Sequence, residues 1–144
     1  MARMIFVNLP VTDLKRSMRF YEAVGAANEP RFTNDGAAMM RFSDEVNVIL
    51  LTHDFWRTFT VKTIPDAHIS AQVLLCLSAD SRDAVDAQME AARGAGAVTD
   101  PTPKQDMGGM MYGRSFEDPD GHIWEVMWMD AAAAEQGAGA FEDA

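Results

Sequence analysis

Glu125 stands inside the apolar run Ile123-Trp124-Glu125-Val126-Met127-Trp128, four residues after the sequence Asp118-Pro119-Asp120-Gly121. A carboxylate there is costly to bury without a partner, so it calls for a ligand, a proton to accept or a neutralising cation. The Asp-Pro-Asp-Gly residues suit a type I turn, with proline at the second position and glycine at the fourth. That makes 115–118 and 122–129 two arms of a hairpin. By alternation Ile123, Glu125, Met127 and Met129 share one face, and Trp124, Val126 and Trp128 share the other. One face is expected to pack on helices and the other to line a pocket into which Glu125 points. Tyr112, Arg114 and Phe116 share a face of the preceding strand. Arg114 is therefore the candidate to neutralise Glu125, or to hold a carboxylate or phosphate by its planar fork. A structural Arg114–Glu125 ion pair without a ligand is an equal alternative, because buried charges are usually paired.

The elements that must position these residues read as two similar halves. Met4–Leu9 has the pattern of a strand, and Thr12 or Asp13 caps a helix in which Leu14, Met18 and Tyr21 fall on one stripe, ended by Gly25. Strands are expected at 28–33, 37–42 and 46–52. The pattern restarts at 70–77, a strand, followed by a helix from Asp80-Ser81 with Val85, Met89 and Ala92 on one stripe. Strands at 97–99, 110–117 and 122–129 complete the second half. Strand–helix–three strands, twice, is an α+β duplication: one domain over 1–130, made of two βαβββ modules (about 1–67 and 68–130) whose curved mixed sheets enclose a pocket. Residues 131–144 form an acidic, Ala/Gly-rich tail with little to bury, expected to be mobile.

With 144 residues the chain is long enough to bury a real core as one domain. Its formal charge of −10 disfavours nucleic acid and anionic membranes as partners. No secretory signal and no membrane span is read in the sequence. The single cysteine, Cys76, sits in an apolar run, reads as a small core residue and fits a cytoplasmic location. There is no glycine-rich phosphate loop, paired-histidine helix motif or nucleophile elbow. Ser17 has no nearby base, Asp13 and Asp80 read as helix starts, and Asp118 and Asp120 read as turn formers.

Asn8-Leu9-Pro10-Val11-Thr12-Asp13-Leu14, with Ser17, Phe20-Tyr21 and Gly25 behind it, resembles the opening of vicinal oxygen chelate proteins. That superfamily includes glyoxalase I, bleomycin-resistance proteins, fosfomycin-resistance enzymes and extradiol dioxygenases. Phe116-Glu117-Asp118-Pro119-Asp120-Gly121 followed by Glu125 is similar to its closing motif. The resemblance spans residues 4 to 129 and implies the paired-module fold; it does not specify a reaction, since one fold hosts many chemistries. In metal-using members it implies four strand-borne ligands around a divalent cation with open positions for substrate oxygens. By motif spacing those positions fall on Phe6, Leu50 (Leu51 with a one-residue slip), Gln72 and Glu125. Only Glu125 is a good donor, and Gln72 is a weak one through its amide oxygen. His53, His68 and His122 lie near strand ends and show no ligand spacing. The expectation is that no metal is bound, with Glu125 a ligand only if one is; Ni, Zn, Mn or Fe is the alternative.

A metal-free version of such a fold, like the bleomycin-resistance type, implies a mostly apolar pocket with a few orienting polar groups. The candidate ligand-binding residues are Phe6, Asn8, Leu50, Trp56, Gln72, Tyr112 and Arg114, with Glu125 as the proton acceptor if the protein is catalytic. The segment 53–63 carries Phe55, Trp56 and Phe59 on a short helical turn, either as a lid over the pocket or as a patch against a second subunit. The segment 106–113 carries three glycines among methionines and reads as a flexible lid. The leading expectation is a homodimeric small-molecule binder. The alternatives are a metal-dependent lyase or dioxygenase of the glyoxalase I or extradiol type, and a structural dimer module without ligand.

Overall fold

A computed structural model of the chain describes residues 2–142, which form two compact units meeting in sequence at Ser70 and Ala71. Met1, Asp143 and Ala144, at the ends of the expected first module and acidic tail, lie outside the described residues. The first unit contains strand β1 (Ile5–Val11), helix α1 (Leu14–Ala23) and strands β2 (Ala27–Glu29), β3 (Ala37–Arg41) and β4 (Val46–Thr52), followed by the short helix α2 (His53–Trp56). Its sheet runs β1-β4-β3-β2, with β1 and β4 parallel and the other pairs antiparallel. The second unit contains strand β5 (Leu75–Ser78), helix α3 (Arg82–Gly94), strands β6 (Gln105–Asp106), β7 (Met111–Glu117) and β8 (Ile123–Met129), and helix α4 (Ala131–Gln136). Its sheet runs β5-β8-β7-β6, again with only the first pair parallel. The same order and the same strand directions recur in each half, so the α+β duplication read from the sequence holds.

Each long helix starts where its sequence offers a cap. The Asp13 carboxylate accepts from the Arg16 backbone N–H, and the Ser81 hydroxyl accepts from that of Ala84. In the first unit Ser17, Phe20 and Tyr21 of α1 are buried, a stripe rotated from the expected Leu14, Met18 and Tyr21. They pack on the face of the sheet that carries Leu9, Val11, Ala38, Met40, Val48 and Leu50, all buried. In the second unit α3 buries Val85, Met89 and Ala92, as its stripe predicts, on the sheet side of Phe116, Trp124 and Val126.

Three expected strands are shorter or displaced. The strand at 28–33 stops at Glu29 because Pro30, which has no N–H, opens a single 3-10 turn over Pro30–Phe32. The strand at 70–77 begins only at Leu75. At 97–99 only Thr99 forms a bridge, to Phe116, and the edge strand is β6 instead. Beyond β8 the Asp130 carboxylate caps α4, whose Ala133 is buried. No described helix is long and apolar enough to cross a membrane.

Candidate functional site

The turn that aims Glu125 is built as its sequence dictates. Asp118 is buried and one carboxylate oxygen accepts from the backbone N–H groups of Asp120 and His122, while Gly121 takes φ +91° to complete the reversal. The register of β7 and β8 is thereby fixed: Ser115 lies opposite Glu125, and Gly113 opposite Met127. On the other side of β8, Cys76 lies beside Glu125 and Ser78 beside Met127. β6 adds Gln105 opposite Gly113. The face turned away from α3 therefore carries two rows, Cys76–Glu125–Ser115 and Ser78–Met127–Gly113–Gln105.

Between these rows lies a cavity of about 20 Å³, lined by Cys76, Thr102, Pro103, Gln105, Gly113, Arg114, Glu125, Val126 and Met127. It is the size of one water molecule or one small head group. Thr102 is held at its rim by a 2.7 Å hydrogen bond between its hydroxyl and that of Ser115. Glu125 is half-buried, and its carboxylate makes no hydrogen bond or ion pair with any described residue. Cys76 is solvent-exposed, which corrects its reading as a core residue: β5 lies at the edge of its sheet with alternate residues outward. Neighbouring protein atoms nonetheless push the Cys76 thiol pKa up, and the negative charge of Glu125 adds to the effect.

The expected Arg114–Glu125 pair does not form. Arg114 lies opposite Val126, not Glu125, and so shares the α3 side of the sheet. Its guanidinium donates to both carboxylate oxygens of Asp100 at 3.0 and 2.7 Å and to Asp86 of α3 at 3.0 Å. The Tyr112 hydroxyl donates to the same Asp86 oxygen at 2.7 Å. These contacts hold the Asp86 carboxyl low, chiefly through Tyr112, and the Asp100 carboxyl low through Arg114, while burial pushes the Tyr112 phenol up. Arg114 and Tyr112 thus clamp α3 to β7, although Arg114 is also among the residues that line the cavity. The glycine-containing segment 106–113 is likewise tied down. Arg82 grips Asp106 through two bonds of 2.8 and 2.9 Å, donates to the Gly108 carbonyl and lies 4.2 Å over the Tyr112 ring. The Arg82 contact, first, and the Gly108 N–H hold the Asp106 carboxyl pKa at about 2.

The remaining expected residues divide between the units. Phe6 and Asn8 are exposed on the face of β1 opposite α1, with Asn8 beside Ile49. Leu50 is fully buried on the α1 side, whereas the alternative position, Leu51, lies with Ile49 on the face of Phe6 and Asn8 and is itself buried. Gln72 is exposed in irregular chain ahead of β5, so it belongs to no strand face. Trp56 ends α2, half-buried, and Phe55 and Phe59 stack edge-to-face at 5.1 Å on the surface beside it. Thr102, Gln105 and Gly113 are the site residues missed in the sequence.

A divalent metal of the kind the resemblance implies finds few donors. Among the described residues no three His, Cys, Asp or Glu side chains gather closely enough to hold one ion. His53 opens α2, His68 lies exposed in a loop, and His122 follows the turn. The donor set does not fit a four-ligand divalent site.

The sequence matches the family model described as Glyoxalase/Bleomycin resistance protein/Dioxygenase superfamily over residues 3–126. No curated protein matches it. Among solved structures it is similar to a hypothetical protein, SA1046, from S. aureus, at 24% identity over 89% of this chain and 95% of that one, with a TM-score of 0.72. A glyoxalase/bleomycin resistance protein/dioxygenase family enzyme from Burkholderia phytofirmans PsJN is 17% identical over 90% of this chain and 100% of its own, also with a TM-score of 0.72. The fosfomycin resistance protein FosX from Mesorhizobium loti is 16% identical over 94% of this chain and 96% of its own, with a TM-score of 0.63. At these identities the likeness is one of fold.

Proposed function

Since the chain belongs to the glyoxalase/bleomycin resistance protein/dioxygenase superfamily, we propose that it binds a small organic molecule in the pocket at Glu125, without a divalent metal. The observation that carries this reading is the carboxylate itself. Glu125 stands in a cavity wall among Cys76, Thr102 and Gln105, and the one arginine near it in sequence is committed to Asp86 and Asp100. A side chain kept only for stability would be expected to have a partner; a free carboxylate beside a cavity is poised to bind one or to take a proton from one. This also weighs against a purely structural module.

Replacing Glu125 by Gln tests the reading: ligand binding should fall while the unfolding midpoint stays near that of the wild type. A variant that loses stability and no ligand affinity would sink it. The metal-dependent lyase or dioxygenase reading is tested separately by the metal content of protein purified without chelator, before and after incubation with nickel, zinc, manganese or ferrous iron. Near-stoichiometric metal that disappears on Glu125→Gln would replace the proposal with that alternative. The chain is also proposed to pair as a homodimer, since Phe32, Phe55 and Phe59 are exposed apolar surface on one unit.

A further inference from the structure

The charge of this protein is divided unevenly. Residues 1–70 carry eight acids (Asp13, Glu22, Glu29, Asp35, Asp44, Glu45, Asp54, Asp66) and eight bases, net zero. Residues 71–144 carry the other 14 acids and only four bases, net −10. All of the formal negative charge thus belongs to the unit that holds Glu125. Its four cations are turned to other carboxylates. Arg82 holds Asp106, Arg93 holds Glu90, Arg114 holds Asp100 and Asp86, and the charge of Lys104 acts on Asp86, Asp100 and Asp106. Nothing among the described residues neutralises Glu125, and the surrounding field repels an anion.

The lining of the cavity includes Arg114, whose guanidinium is paired with Asp86 and Asp100, and leaves Glu125 as its one charged side chain without an ion-pair partner among the described residues. Glu125 offers a carboxylate, Gln105 an amide oxygen and Thr102 a hydroxyl oxygen, while Pro103 and Met127 supply apolar wall. An ammonium group has three donors and no acceptor, and Glu125 can accept from it as an anion while the Gln105 and Thr102 oxygens can accept as neutral groups. The volume of about 20 Å³ is enough for one such head group. The floor stays open because position 113 lacks a side chain. A Cβ there would stand 3.6 Å from the Val126 carbonyl oxygen and 3.9 Å from the Cβ atoms of Gln105 and Met127, ordinary contact distances that fill the space without a clash.

Resting on the small-molecule reading of the same site, we infer that the ligand is a primary amine bound as its ammonium ion, with Glu125 as counter-ion and Gly113 as the residue that admits the head group. The organic body then lies against Met127 and Pro103.

The test uses three probes with one body and different heads, benzylamine, benzyl alcohol and benzoate, titrated into the full chain at neutral pH and low salt. Benzylamine is expected to bind at least about tenfold tighter than the other two, the margin of one charge-assisted hydrogen bond. Its affinity should weaken as salt is added. Glu125→Gln should remove that preference, and Gly113→Ala should weaken benzylamine at least about tenfold. If Gly113→Ala proves unstable, Glu125→Gln alone decides. Equal or tighter binding of benzyl alcohol or benzoate, still lost in Gly113→Ala, would overturn the ammonium inference and leave the pocket standing as a ligand site. Benzylamine binding that survives both substitutions would overturn the assignment to this cavity. No binding of any probe by the wild type would overturn the pocket reading and this inference with it.

Discussion

Arg114 offers the sharpest test of how this sheet divides structural charge from free charge. Its side chain is 9% exposed, against 26% for Asp100 and 51% for Asp86. Replacing it with Met keeps the length and apolar stem but leaves two carboxylates without their cation. The bidentate pair with Asp100 is a charge-assisted contact worth about 1.5–3 kcal/mol. The bond to the half-exposed Asp86 is screened by water and adds less than about 1 kcal/mol. Asp100 also holds a left-handed backbone at φ 56°, which the pair helps to fix. The expected loss is therefore about 2–4 kcal/mol, read as a fall in the urea midpoint at an unchanged slope. A double-mutant cycle then identifies the partner. Coupling of Arg114→Met with Asp100→Asn, a substitution that tolerates the left-handed backbone, should be about 1.5–3 kcal/mol, and coupling with Glu125→Gln under about 0.5 kcal/mol. Coupling above about 1 kcal/mol to Glu125, with none to Asp100, would refute this account. It would restore the Arg114–Glu125 pair and remove the free carboxylate on which the ligand site depends.

Further outcomes follow from the same geometry. The carboxyl pKa values of Asp86, Asp100 and Asp106 are lowered in the folded chain, so their contribution to stability is complete above the ordinary carboxylate value. It is lost as pH falls from about 4 through the folded values, which for Asp106 is about 2; circular dichroism should show stability declining over that window, and Arg82→Met should flatten the decline. The raised pKa of Cys76 predicts slow alkylation by iodoacetamide at neutral pH, and Glu125→Gln should speed it; an unchanged rate would separate the two side chains. Sedimentation should find a dimer that Phe59→Ser weakens if the exposed Phe55–Phe59 pair lies in the interface, whereas a wild-type monomer would end the homodimer proposal.

Periodicity and turn chemistry made much of the fold readable. The Asp-Pro-Asp-Gly reversal set the β7–β8 hairpin, and the Asp13 and Ser81 caps placed both long helices. What alternation could not supply was register across strands. Tyr112, Arg114 and Phe116 were correctly grouped on one face of β7, but whether Glu125 belonged with them depended on pairing that no local pattern encodes. A one-residue offset, Arg114 opposite Val126 rather than Glu125, turned an expected ion pair into two charges on opposite faces. The same uncertainty left Leu50 and Leu51 both open, and only the pairing places Leu51, with Ile49, on the face of Phe6 and Asn8. Gln72 failed for a different reason: the apolar run at 70–77 looked like strand throughout, yet only its last part pairs with β8. Asp86 and Asp100, which claim Arg114, come from a helix face and a left-handed connection that hydrophobic periodicity does not mark.

The duplication explains why chemistry gathers in one half. Asn8 stands five residues before the cap Asp13, and Cys76 stands five before the cap Ser81, so the two occupy equivalent places on parallel edge strands. Their neighbours on the adjacent strand are Ile49 and Glu125 respectively. Two copies of one topology thus present the same pair of positions, filled by an amide and an aliphatic in the first unit and by a thiol and a carboxylate in the second. A helix-packed face cannot diverge in this way without leaving a void or a buried charge. Ile49 and Glu125 are only half-buried on the opposite face, and it is at this position that the two copies differ in chemistry. The charge imbalance has the same direction, since the unit with Glu125 also holds the entire formal excess of acid. If Glu125 were merely a tolerated surface acid, moving the carboxylate to the equivalent place in the first unit, by Ile49→Glu with Glu125→Gln, would preserve any binding of benzylamine. Ala37 opposite Leu51 takes the place that Gly113 holds opposite Met127, and its side chain predicts that binding does not follow the charge.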